Sequence, residues 1–301
     1  MCRLFGFRSV IPSQVHASLV DAENALGAQS NAHPDGWGVA YYVDGSPHVT
    51  KSPTHALGDQ LFHRLSGLVS SETVLAHVRK ATQGSKSLLN CHPFQFGRWV
   101  FAHNGDIPGF ADGLAPSLRE EIAPRLRRFV LGDTDSETIF FIFLTLLEHQ
   151  TPLSQRPDLA SVVAAVKATL ERVRSICQRH AKDAAVLLTF IATDGDVMVA
   201  TQGGKELSFS TYKRRCPDRA TCTSLSSVCE APSIDGRVNH LIISSERLQG
   251  SNVWEELAPG DILAVDARMR AVRSGIGQLG LVPLGVSSGA SVLLVPQSLR
   301  Q

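Results

Sequence analysis

Cys2 stands one residue from the start of the chain, and removal of Met1 would place a thiol and a free α-amine on the same residue. An α-amine titrates near about 7.7–8.0, roughly two units below lysine, so part of it is unprotonated at neutral pH and can accept the thiol proton. Nucleophile and general base then come from one residue. Taken alone, a Cys at position 2 is more often an incidental buried thiol than a nucleophile. Three further segments supply the chemistry such a nucleophile needs. Residues 74–79 alternate as a strand and end at Arg79, whose planar guanidinium suits a two-point grip on a carboxylate, the alternative being a surface ion pair. Residues 101–106 end another strand in Asn104-Gly105, where a side-chain amide and an unencumbered backbone N–H can face a developing oxyanion, or simply make a turn. Gly132-Asp133-Thr134-Asp135-Ser136-Glu137 precedes an apolar helix and offers a carboxylate to an ammonium group, or a plain helix cap. Together these suit an amino acid with a γ-amide. Arg79 would hold its α-carboxylate and Asp135 its α-ammonium, Cys2 would attack the side-chain carbonyl, and Asn104 with the Gly105 N–H would meet the oxyanion.

The elements that must position these groups follow from periodicity. Short strands are expected at 2–8, 36–43, 48–51, 74–79 and 99–103, with hairpin chemistry at Asp44-Gly45-Ser46-Pro47. Helices are expected at 15–28, with Ser13 as its cap, at 135–148 and at 158–180. Strands at 184–193 and 197–201 flank Asp194-Gly195-Asp196, a second hairpin signal, and strands at 240–244 and 261–266 come later. Strands and helices in blocks favour antiparallel sheets covered by helices over a Rossmann-type winding. The chain reads as a single domain, 2–301. Residues 202–237, rich in Ser, Thr, Cys and basic side chains, are expected to form a mobile insertion.

The ordered motifs Cys2-Arg3, Asp35-Gly36-Trp37-Gly38, His92-Pro93-Phe94 and Ala102-His103-Asn104-Gly105 resemble those of the class II glutamine amidotransferases, N-terminal-nucleophile hydrolases, and specifically the stand-alone type beginning Met-Cys-Arg. The resemblance covers about the first 150 residues and continues more loosely through Ser244-Ser245-Glu246. It implies an α+β fold, a four-layer αββα sandwich of two antiparallel sheets between helical layers. It also implies Cys2 as nucleophile, with its own amine as base, Asn104 and Gly105 as oxyanion hole, Arg79 and Asp135 as glutamine clamp, and Thr82 lining the amide pocket. Where members fused to synthetase domains carry a Trp and later a His after the arginine, this chain has Lys80 and Gln83.

Composition narrows the partners. Among 301 residues, 29 basic and 28 acidic side chains give a formal charge of +1, leaving no electrostatic footprint for nucleic acid. The longest apolar stretch, 139–147, falls well short of the roughly 20 residues a membrane span needs. The N-terminus lacks the pattern of a secretory signal, and six cysteines are few for this length, so a cytoplasmic protein with free thiols is expected. No metal is expected. His33, His77, His92 and His103 lack helical ligand spacing, and Cys216, Cys222 and Cys229 have gaps of five and six residues with only His240 nearby. No cofactor is implied, and no phosphate-binding Gly-Lys-Ser/Thr loop is present. The expected reaction is hydrolysis of glutamine to glutamate and ammonia through a Cys2 thioester, any ammonia transfer requiring a separate ammonia-accepting synthetase. The alternatives are a γ-glutamyl hydrolase acting on a peptide or conjugate such as glutathione, and a non-catalytic glutamine-binding subunit.

Overall fold

The computed structural model describes residues 2–180, 185–277 and 280–286. The described strands are β1 Arg3–Gln14, β2 Trp37–Val43, β3 Ser46–Ser52, β4 Ser70–Val78, β5 Phe94–Phe96, β6 Trp99–Asp106, β7 Leu187–Thr193, β8 Met198–Thr201, β9 Ser208–Ser210, β10 His240–Ser244, β11 Glu255–Glu256, β12 Asp261–Val265, β13 Ala271–Gly275 and β14 Val282–Pro283. The α-helices are α1 Leu26–Gln29, α2 Gln60–Leu68, α3 Ala115–Glu120, α4 Pro124–Arg127, α5 Asp135–Glu148 and α6 Leu159–His180.

Strand alternation builds two sheets with opposed inner faces. One has the order β11-β9-β10-β1-β4-β2-β3 and the other β14-β13-β12-β8-β7-β6-β5, with every pairing antiparallel. Successive side chains on a strand point to opposite faces. In β1, Leu4 joins the core between the sheets while Phe5 and Phe7 pack outward with Leu26 and Phe62. In β6, Val100 and Ala102 face that same inner core, while Trp99 and Phe101 pack against Phe143 and Phe140 of α5. The result is the expected αββα sandwich: a helical layer with α1 and α2, two sheets, and a layer with α5 and α6.

Helix α5 is buried almost all round because it lies between α6 and the second sheet, which explains its unbroken apolar run. Each fully buried Phe or Leu there contributes about 1.5–3 kcal/mol. Both hairpin signals form turns. Asp44 and Gly45 take φ of 50° and 75°, and Pro47 sits on edge strand β3, where a missing N–H leaves no inner ladder bond unmade. Gly195 takes φ 94° between β7 and β8.

The expected helix at 15–28 does not form. β1 runs on to Gln14, so Ser13 is a strand residue opposite Ser71 instead of a cap. A single π-turn at Ala17–Asp21 and the four-residue α1 replace the helix. The break falls at Asn24, whose side chain donates to the Arg247 carbonyl and accepts from the Gln249 N–H, a tertiary demand the local period does not encode. Within 202–237, Ser208–Ser210 is buried as β9 between β10 and β11. Of the expected strand at 184–193, Ala184 lies outside the described residues.

Candidate active site

On the inward rows of the sandwich the residue types change toward one end. Along β1, Leu4 gives way to Cys2; along β4, Leu75 gives way to His77 and then Arg79; along β6, Val100 and Ala102 give way to Asn104. Each step is two residues, so all face the same way. Leu4 pairs with His77 and Arg3 with Val78, which sets Cys2 beside Arg79. The site is therefore the polar end of the inter-sheet core.

The strand carrying Cys2 is tied down by the late Ser-Ser-Glu motif. The Ser245 hydroxyl accepts the Leu4 N–H at 3.0 Å, the Ser245 N–H donates to the Leu4 carbonyl at 3.1 Å, and Arg3 pairs with Glu246 at 2.5 Å. Cys2 itself is half-buried, and the Lys80 N–H donates to its sulfur at 3.4 Å. Burial pushes the thiol up, opposed by that N–H and by the positive Arg79, while the negative Asp135 reinforces the rise. Arg79 and Asp135 thus both act on the thiol. Met1 lies outside the described residues.

Arg79 is 2% exposed and organises the loop that follows it. Its guanidinium donates to the carbonyls of Ser85 at 3.0 Å and Gln83 at 2.8 Å, curling residues 80–85 around it. The Asp-Gly-Trp-Gly motif holds it from the other side: the Arg79 N–H donates to the Gly36 carbonyl at 2.7 Å and the Asp35 N–H to the Arg79 carbonyl at 3.0 Å. Trp37 is packed, fully buried with its indole N–H on the Asp59 carboxylate at 3.0 Å. The Asp35 carboxylate accepts the Ala81 N–H at 2.9 Å and pairs with Lys86. Burial would raise its pKa, but those two donors hold it below the usual carboxylate value. Gln83 donates to Asp106 at 3.1 Å, joining the loop to the end of β6. Thr82 is exposed on this loop.

Asn104 is 3% exposed, and its side-chain Oδ1 is buried without a hydrogen-bond partner among the described residues. Gly105 has no room for a side chain, since a Cβ would overlap the Leu187 carbonyl oxygen and the His103 ring. His103 points to the opposite face of β6. Its Nε2 donates to the Leu187 carbonyl at 2.9 Å, which leaves Nδ1 of the neutral ring to accept from the Ser136 hydroxyl at 2.8 Å. Ser136 in turn gives its N–H to Asp135 Oδ1 at 2.7 Å, and the Ile107 N–H donates to Oδ2 at 2.9 Å. The cap of α5 is Thr134, which accepts the Glu137 N–H at 3.2 Å, so Asp135 is released from that duty. Burial raises the Asp135 carboxyl, moderated by these two N–H groups.

Beneath the site, the His77 and His92 rings pack at a tilt with centroids 4.1 Å apart, and their four ring nitrogens find no hydrogen-bond partner among the described residues. Burial drives His77 down to about 3 and His92 well below its ordinary value, so both are neutral. No group of three or more His, Cys, Asp or Glu residues among the described ones is arranged to hold a metal ion. No described helix is long and apolar enough to cross a membrane. The expected site residues Cys2, Arg79, Asn104, Gly105 and Asp135 converge at this end, with Thr82 on the loop above. Sequence reasoning missed the supporting set Asp35, Gln83, Asp106 and Ser136. Asp35 opens the recognised Asp-Gly-Trp-Gly motif, Asp106 follows Asn-Gly and Ser136 follows Asp135, but their supporting roles carry no local signal.

The family profile described as glutamine amidotransferases class-II matches residues 1–274. The chain belongs to that family. Among curated class II relatives, the chain is 31% identical over 227 residues to DUG3 of Saccharomyces cerevisiae, named a probable glutamine amidotransferase, covering 67% of this chain and 63% of that protein. It is 25% identical over 275 residues to YafJ of Escherichia coli, named as a glutamine amidotransferase, covering 87% of this chain and 96% of that one. A gamma-glutamyl-hercynylcysteine sulfoxide hydrolase of Mycobacterium tuberculosis is 34% identical over 119 residues, or 36% of this chain and 50% of that protein. The matched span is thus under two thirds of the length of the yeast protein. In fold, the chain is similar to a class-II domain protein from Silicibacter pomeroyi, with TM-score 0.61, 20% identity, and coverage of 91% of this chain and 99% of that one. It also resembles the glutamine phosphoribosylpyrophosphate amidotransferase of Bacillus subtilis, with TM-score 0.56, 15% identity, and coverage of 93% of this chain and 50% of that one.

Proposed function

We propose that the protein hydrolyses a γ-glutamyl amide, glutamine being the simplest, through a thioester on Cys2. The observation that carries this reading is the gathering of Cys2, Arg79, Asn104 and Asp135 at one end of the inter-sheet core. Arg79 pairs with the α-carboxylate and Asp135 with the α-ammonium, which aims the γ-carbonyl at Sγ, while Thr82 lines the amide pocket. After loss of Met1, the Cys2 α-amine takes the thiol proton as the S–C bond forms. The oxyanion is met by Asn104 Nδ2 and the Gly105 N–H. Collapse breaks the C–N bond, and the α-ammonium returns its proton to the leaving nitrogen. Water, deprotonated by the same amine, then adds to the thioester and releases glutamate with the thiol restored. Ammonia leaves to solvent or to a separate synthetase, and the chemistry calls on no cofactor. The reading also supposes a cytoplasmic protein acting as a single domain.

A second reading is hydrolysis of a larger γ-glutamyl conjugate. The similarity to a hydrolase whose name specifies a γ-glutamyl substrate favours it, as does the exposure of Lys80 and Thr82 above the thiol. Both readings are tested by measuring glutamate release from glutamine and from γ-glutamyl dipeptides. Release that Cys2→Ala abolishes is expected. Binding of glutamine without any release would instead favour the binding-subunit alternative.

A further inference from the structure

The buried clamp accounts for the γ-glutamyl half of a substrate, and the leaving group must then lie outward, over the rim of the site. Lys80 occupies that rim. Its main chain lies against the nucleophile, with the N–H 3.4 Å from Cys2 Sγ, while its side chain is exposed. No acidic side chain among the described residues pairs with it. The nearby acids are engaged elsewhere: Asp35 by Lys86 and the Ala81 N–H, Glu246 by Arg3, and Asp106 by Gln83. The other cations at this end are engaged too, because Lys86 and Arg3 are the partners in two of those contacts. His33, 5% exposed, is held below its ordinary pKa by burial and by the positive charges of Arg3 and Lys80. The rim therefore carries an excess of positive charge, with Lys80 as its uncommitted member.

We propose that Lys80 is a specificity-determining residue that selects γ-glutamyl amides whose first leaving residue carries a free carboxylate, as in a γ-glutamyl α-amino acid. This rests on the hydrolase reading above. In such a substrate the carboxylate of the first leaving residue is two bonds from the scissile nitrogen. The flexible four-carbon stem of a lysine rooted beside Sγ spans that offset, and its ammonium needs no fixed fork to meet a single carboxylate. The pair would be sheltered on one side by the loop and open to water on the other. Its effect on selectivity is therefore that of a half-exposed ion pair.

The test compares γ-glutamylglycine with γ-glutamylglycinamide, which differ only in that carboxylate, with glutamine as a third substrate. The native protein is expected to favour the free acid by about three- to tenfold in kcat/KM. Lys80→Met should bring the two dipeptides level, Lys80→Arg should retain the preference, and Lys80→Glu should reverse it in favour of the amide. Because only the ratio of two substrates on one enzyme is read, a general loss of activity in a variant does not imitate the result. Equal rates on both dipeptides in the native protein, or a preference that survives Lys80→Met, would overturn the proposal while leaving the hydrolase reading standing. Failure to hydrolyse any of the three substrates, glutamine included, would overturn both.

Discussion

The Lys80 N–H lies on the Cys2 sulfur at 3.4 Å, so the loop that follows Arg79 touches the proposed nucleophile through its main chain. That contact favours the thiolate, yet burial outweighs it and leaves the thiol above its ordinary value. The thiolate fraction therefore increases with pH through a raised pKa. Iodoacetamide labelling, followed on the Cys2 peptide by mass, is expected to accelerate with pH and to level off above the value of about 8.5 for a free cysteine. A plateau below pH 7 would contradict this.

Asn104 ends the inward row of β6 with a buried side-chain amide, the proposed oxyanion donor. Loss of one oxyanion donor costs roughly 2.7–4 kcal/mol of barrier in other enzymes, so Asn104→Ala should lower turnover by about a hundredfold or more. Steady-state kinetics with glutamine checks it, and turnover within about threefold of the parent would remove Asn104 from that role.

Arg79 fastens the carbonyls of Gln83 and Ser85, and in the proposed reading it also grips the substrate carboxylate. An ammonium reproduces neither fork. Arg79→Lys should raise KM for glutamine by about tenfold or more and reduce kcat less, because the lost interaction is made before the chemistry. It should also open the 80–87 loop to trypsin at Lys80 and Lys86. An unchanged KM would count against the clamp.

The His77 and His92 pair sets an acid limit on stability. Both have folded pKa values below the unfolded value of about 6.5, His77 at about 3. Between those pH values the unfolded chain binds more protons. Stability is thus complete above about pH 6.5 and falls as pH drops, by up to about 1.4 kcal/mol per pH unit for each histidine. Urea midpoints at a series of pH values should show this fall, and His77→Leu, beside Leu4, should make it shallower. An identical slope in the variant would contradict the assignment.

Much of this was legible in the chain because it depends on local pattern. The strand ending in Arg79, the strand ending in Asn104-Gly105 and the apolar helix after Asp135 each declare themselves through a period and a terminal polar residue. Less legible was whatever depends on partners distant in sequence. The helix expected at 15–28 yields to Asn24 bonding residues more than 220 positions away. β9 and β11 are only three and two residues long; β9 exists because β10 offers an edge, and β11 because β9 then does. The Gln83–Asp106 contact, the tautomer of His103 and the grip of Asp35-Gly36 on Arg79 arise where separate strands meet. The Asp-Gly-Trp-Gly and Ser-Ser-Glu motifs were visible as motifs, but their work of fixing Arg79 and the Cys2 strand was not.

The central claim, a glutamine-shaped site built on a processed Cys2, is tested most directly by the intact mass of untagged protein before and after exposure to a diazo-ketone analogue of glutamine. Such a reagent alkylates a thiol only when it is bound as glutamine is. Loss of Met1 together with a single adduct on Cys2, blocked by excess glutamine, is the expected result. A chain that keeps Met1, or a processed chain that takes no adduct, would contradict it.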